Sequence, residues 1–276
     1  MRQSLASLLL GSAVVAAVVL GCATVGEPPS TLPVRNAMVF DQLVIHSNFS
    51  LPQQHRLVDD LCLLRGDLMT TLDMQPSDEP IHVYLFESED HFQDFLSRQH
   101  PEFPARRAFF VESDTRLTVY AQWGDRVAED LRHEVSHGYL HSVVRGIPLW
   151  IDEGLAEYFE VPRSDGGLNR PHIRLLLTRW MDHQWRPDLP RLERLSSAGE
   201  MAQEDYAEAW LWTHWLLEAS PQHRKLLQGY LQTLARYGSA EPLSSTVQTV
   251  ESNADEALLH HLSQLAAVLT AQREAK

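Results

Sequence analysis

Three residues do most to restrict what this chain can become: His133, Glu134 and His137, which spell H-E-x-x-H inside the run L-R-H-E-V-S-H-G-Y-L-H from Leu131 to His141. On a helix, positions i and i+4 lie about 6 Å apart along the axis and about 40° apart around it. Two imidazoles so placed can reach one metal ion. Zinc suits them, because it accepts neutral imidazole nitrogen and imposes little geometry of its own. Glu134 sits about 100° round from His133. It is too close to serve as a third ligand without strain, and well placed to take a proton from a metal-activated water. Leu131 and Val135 fall on the opposite side of the helix, with Gly138 beside them. A helix that turns two His and a Glu away from its apolar stripe needs a reason to do so.

The third ligand is expected downstream. A catalytic zinc site takes three protein ligands and keeps one position open. The stretch P-L-W-I-D-E-G-L-A-E-Y-F-E, Pro148 to Glu160, reads as a second helix and offers Glu153. H-E-x-x-H followed on the next helix by E-G-x-A-E-Y resembles the gluzincin metallopeptidases, most closely their peptidase MA-like branch. The resemblance implies His133, His137 and Glu153 as zinc ligands, Glu134 as catalytic base and a zincin-like fold. It also implies that Glu157, four residues after the third ligand, bonds to His133 and orients it. Tyr206 is a candidate for the donor that stabilises the tetrahedral oxyanion, a role gluzincins give to a Tyr or His of the second lobe; a helix-packing aromatic is the competing reading. The interval from His137 to Glu153 is shorter than in the aminopeptidase gluzincins. The metzincin pattern fails, since Leu140 and Val143 stand where its Gly and third His belong.

The chain opens on Arg2 and an apolar run from Leu5 to Leu20, short for a membrane-spanning helix. The run ends in V-L-G-C, Val19 to Cys22, which resembles a bacterial lipobox. The resemblance implies a signal peptide over residues 1–21 and lipidation of Cys22. With Ala23 rather than Asp after the cysteine, it further implies an outer-membrane lipoprotein, periplasm-facing or surface-exposed. Residues 22–37 read as a Pro-rich tether. The domain then spans 38–276, with an α/β lobe carrying the metal helix over 38–145 and a helical lobe over 146–276. A formal charge of −14 argues against nucleic acid as a partner. Cys62 is the one cysteine besides Cys22 and sits in an apolar helical run, so it reads as core.

Element by element, Leu43–Phe49 and Ile81–Phe86 read as strands, with a helix over Gln53–Met74 between them. Ser88–Gln99 reads as a short amphipathic helix. Ala108–Val111 and Arg116–Ala121 read as a hairpin that runs into the metal helix, whose expected N-cap is Asp125 with Glu129 and Asp130 in the first turn. A free strand edge beside that helix could take an extended peptide by strand addition. Gly146 and Pro148 are expected to end this helix and start the next. Further helices are expected over Pro171–His183, over Gln203–Tyr237 with a break near Ser220–Pro221, and over Ala254–Gln272. The fold class is α+β: a small, mostly antiparallel sheet with helices, then an all-helical lobe, with the metal in the cleft between them. His141 is too far along the helix to join His133 and His137 on one tetrahedral ion; it reads as a cleft or surface residue. His214, among Trp210, Trp212 and Trp215, reads as core.

The functional expectation is a zinc peptidase acting on a peptide or protein substrate. Two other readings remain compatible with the residues: a non-catalytic binding lipoprotein on the same fold, and a zinc amidase acting on a non-peptide substrate.

Overall fold

The sheet begins earlier than expected. β1 (Asn36–Phe40) pairs antiparallel with β2 (Leu43–Ser47) across a two-residue turn at Asp41 and Gln42. The expected tether therefore gives way to strand at Asn36. The signal is missing because D-Q is a poor hairpin turn; Asp41 has to adopt φ 49° without help from glycine. The computed structural model describes residues 31–274 apart from 53, 102, 104 and 105. The expected signal peptide, Cys22 and most of the tether lie outside the described residues.

From β2 the chain passes through α1 (Arg56–Leu72) to β3 (Ile81–Phe86). It continues through α2 (Glu89–Gln99) to the hairpin of β4 (Ala108–Ser113) and β5 (Arg116–Gln122). The sheet order is β1-β2-β3-β5-β4. Its outer pairs are antiparallel, while β2–β3 and β3–β5 are parallel. The sheet is thus mixed rather than mostly antiparallel. The reason is the strand–helix–strand order: a helix between two strands supplies the long return that parallel pairing requires. β3 lies in the middle and is buried along most of its length. Ile81, Val83 and Leu85 join the main core, while Tyr84 and Phe86 face a smaller cluster with Phe92, Phe95 and Leu96 of α2.

β5 leads through Trp123 to Arg126 into α3 (Val127–His141). Residue Arg126, not Asp125, occupies the N-cap, and no side chain caps the helix there. Glu129 and Asp130 do fall in the first turn, where the helix dipole favours them. Asp130 also anchors Arg107 at the start of β4, with N–O distances of 2.6 and 2.8 Å. The helix ends at His141, with Ser142 at its C-cap, so Gly146 belongs to the connection that follows. α3 lies on the sheet against β3, β4 and β5, its Leu131 and Val135 fully buried. Gly138 faces Ile81 so closely that a Cβ there would stand 3.0 Å from the Ile81 side chain.

The second half is helical: α4 (Leu149–Phe159), α5 (Arg170–Met181), α6 (Leu189–Leu192), α7 (Gln203–Glu218), α8 (Pro221–Tyr237), α9 (Leu243–Val250) and α10 (Ala254–Glu274). α4 links the halves, packing on α3 on one side and α7 on the other. Trp150 and Ile151 are buried in α4, and one apolar core runs through both halves. Among the described residues no helix is long and apolar enough to cross a membrane.

Candidate metal centre

α3 and α4 bring His133, His137 and Glu153 together. One ligand-capable atom from each lies within 4.8 Å of the others. Nε2 of His133 is 3.4 Å from Glu153 Oε2, and Nε2 of His137 is 3.8 Å from the same oxygen. Donors bound to zinc at about 2.0–2.1 Å in a tetrahedron stand roughly 3.3 Å apart, so this spacing fits one ion with little adjustment. Glu153 Oε2 is itself buried with no hydrogen-bond partner. A buried carboxylate oxygen left in that state is costly unless a cation takes it up.

The outer nitrogens of both rings face carboxylates. His133 Nδ1 lies 3.1 Å from Glu160 Oε2, and His137 Nδ1 lies 2.9 Å from Asp152 Oδ1. Glu160 holds the His133 ring so that Nε2 points into the site, the arrangement a metal-binding histidine needs, while Asp152 lies beside the His137 ring as a close charge without hydrogen-bond geometry. Sequence reasoning gave the His133 partnership to Glu157, and the structure gives it to Glu160. Glu157 stays within 4.8 Å of His133 but bonds elsewhere, its Oε2 2.7 Å from His172 Nε2 and within 3.1 Å of the Asn169 amide. Asn169 also donates to Glu160 at 2.9 Å, which ties the two carboxylates into one network.

The electrostatics follow from crowding acids around two rings in a dry place. Burial works to lower the His133 pKa, but Glu153 and Glu160 raise it well above the ordinary value. The same contest raises His137, with Asp152 as the main opponent of burial. Burial pushes the Glu134 carboxyl up, against the pull of His133 and His137, and the Phe110 N–H donates to it. Burial, aided by Glu157, pushes Glu160 up to about 7 despite its bond with His133. A site built this way calls for positive charge, and a divalent ion would supply it. The residues fit a metal.

Around the ligands lies a cavity of about 460 Å³ lined by His133, Glu134, His137 and Glu153, with Phe109 and Phe110 of β4 on one wall. Phe110 stacks on His137, the ring centroids 5.8 Å apart. Tyr206, at the start of α7, reaches the rim, where its hydroxyl accepts a 3.3 Å bond from Arg106 Nη2. Burial raises the Tyr206 phenol, Glu153 adds to the rise, and Arg106 and His133 oppose it. Two residues here went unnoticed in the sequence. Asp152 carried a signal, since it directly precedes Glu153. Arg106 carried none, because only the fold brings the residues before β4 over the cavity.

His141 is half-buried one turn beyond His137, bonded to Glu112 at 2.6 Å and to Asp152 at 3.0 Å. These bonds outweigh burial and raise it to about 9. His214 is buried in the helical half against His261, also as expected. Cys62 is a free, half-buried thiol that packs against the core.

Residues 128–238 match a family model described as "Protein of unknown function (DUF1570)". The matched stretch runs from the first turn of α3 to the residue after α8 and holds both ligand motifs and Tyr206. No curated protein matches the chain.

Proposed function

We propose that the protein is a zinc-dependent peptidase of the gluzincin type. The observation that carries this reading is the convergence of His133 Nε2, His137 Nε2 and Glu153 Oε2, with Glu134 lining the same cavity. A zinc ion held there would supply a Lewis acid able to activate water near neutral pH. Glu134 takes the proton from that water and returns it to the departing amine nitrogen. The bond from the Phe110 N–H aims the Glu134 carboxylate, and burial raises its basicity. Tyr206 is kept protonated by burial and by nearby Glu153, so its hydroxyl remains a donor for an oxyanion.

The edge of the sheet favours an extended substrate. Gln122 N–H donates to the Arg107 carbonyl, so along the antiparallel β4–β5 pair residues 108, 110 and 112 turn their backbone groups to the free edge, where Glu134 takes the Phe110 N–H and the other groups are those a peptide would pair with. That edge passes Glu134, and a peptide laid along it would present its carbonyl to the ligands. The V-L-G-C sequence supports tethering through a lipid on Cys22, with the domain outside the cytoplasm.

The test is zinc content and peptide cleavage, measured on the soluble domain and on its Glu134→Gln variant. One equivalent of zinc in both, with cleavage lost in the variant by at least about 100-fold, is the expected result. Wild-type protein that takes up no zinc on reconstitution would overturn the reading.

A further inference from the structure

Three arginines border the cleft, and two are spoken for. Arg107 is held by both oxygens of Asp130, and Arg126 is paired with Glu129. Arg106 differs. Among the described residues its side chain bonds only to the neutral Tyr206 hydroxyl. It lines the cavity beside the ligands and also the adjoining part of the cleft, with His133 and Glu134 common to both. Glu153 and Glu134 are near enough to act on it through space, yet neither forms an ion pair with it. Glu153 lies against the imidazoles instead, and Glu134 accepts the Phe110 N–H.

A guanidinium presents five N–H donors in a planar fork matched to carboxylate geometry. Tyr206 takes up one nitrogen and thereby fixes the fork from the opposite side of the cleft. The remaining N–H groups are left for a ligand. The wall next to Arg106 is aromatic: Phe103 stacks on Phe109 at 4.7 Å, and Phe110 lines the cavity beside them. A cavity of about 460 Å³ is in the range that holds a small ligand.

We propose that Arg106 binds the terminal carboxylate of the substrate, with an aromatic or large apolar C-terminal side chain seated against Phe103, Phe109 and Phe110. This inference rests on the peptidase reading and narrows it to peptides with a free C-terminus just beyond the scissile bond. The edge strand holds the extended backbone, and Arg106 sets where the chain must end.

Binding tests this without turnover. The zinc-loaded Glu134→Gln protein is titrated by calorimetry with N-acetyl-glycyl-phenylalanine and with its C-terminal amide, and zinc content is measured on the same samples. The acid is expected to bind at least about tenfold tighter than the amide, the value of a hydrogen bond to a charged group. Adding Arg106→Gln should bring that ratio close to one, and Arg106→Lys should restore part of it. Equal affinities before the arginine is changed, no binding of either peptide, or a preference that survives Arg106→Gln would each overturn the assignment. If the protein takes up no zinc, the peptidase reading fails by itself, and the acid-to-amide ratio on the zinc-free protein still decides whether Arg106 binds a carboxylate.

Discussion

A seven-residue step along a helix returns a side chain to within about 20° of its starting direction, whereas a four-residue step overshoots by about 40°. Glu153 and Glu160 are seven apart; Glu153 and Glu157 are four apart. α4 packs with Glu153 against both imidazoles, so Glu160 meets His133 and Glu157 rotates towards His172 and Asn169. Glu160→Ala should therefore weaken zinc affinity about 10- to 100-fold, the usual range for a carboxylate behind a ligating histidine. Glu157→Ala should weaken it several-fold less. Competition against a chromophoric chelator measures both, and equal losses in the two variants would mean that Glu160 is not the carboxylate that orients His133. The cluster of His133, His137 and Glu153 was legible in the sequence because their spacing is set within one helix and by one carboxylate on the next. The partner of His133 was not, since it depends on the rotational setting of α4 against α3, and no residue pattern records that angle.

At the scale of elements, the site depends on how closely α4 approaches α7. Gly154, directly after the candidate ligand Glu153, makes that approach possible. A Cβ there would collide with the Thr213 hydroxyl and the Ala209 carbonyl of α7. Neither can yield freely: one is backbone, and Thr213 is fully buried. Gly154→Ala should cost about 1–3 kcal/mol through overpacking, lowering Tm by roughly 2–10 °C in a chain of this size. Zinc affinity should fall with it, because a displaced α4 carries Glu153 away from the imidazoles. Scanning calorimetry and chelator competition on one sample check both effects; an unchanged Tm would sink the idea that the glycine sets the helix separation. Most elements could be read from periodicity, since α1 repeats leucine at three- and four-residue intervals and β3 is β-rich throughout. Those that escaped have weak local signals. β1 is a five-residue edge strand behind an unfavourable turn, α6 spans four residues, and α9 is a short run rich in Ser and Thr. The parallel pairing of β2, β3 and β5 is a property of element order rather than of any one segment.

Across the whole molecule, acid should act on the helical half independently of the metal centre. His214 of α7 and His261 of α10 face each other with ring nitrogens 2.9 Å apart, both buried. One ring must donate and the other accept, so the contact requires both to be neutral. Burial lowers each to about 4, with His214 further lowering His261. An unfolded histidine titrates near 6.5. The unfolded chain therefore binds protons between about pH 6.5 and 4 that the folded pair refuses, and stability falls as pH falls through that window. A shift of this size on one histidine corresponds to roughly 3 kcal/mol, and the pair gives less than twice that because the two titrations interact. In a His214→Gln, His261→Gln double variant the dependence disappears. Urea unfolding of zinc-free wild type and variant at pH 7.5, 5.5 and 4.5 isolates the pair, since the carboxylates around His133 and His137 contribute alike to both proteins. The stability difference between the two should shrink steadily from pH 6.5 downwards. Parallel curves would mean that the α7–α10 contact tolerates a charged ring, and the acid lability of the fold would then lie with the carboxylate network behind α3 and α4.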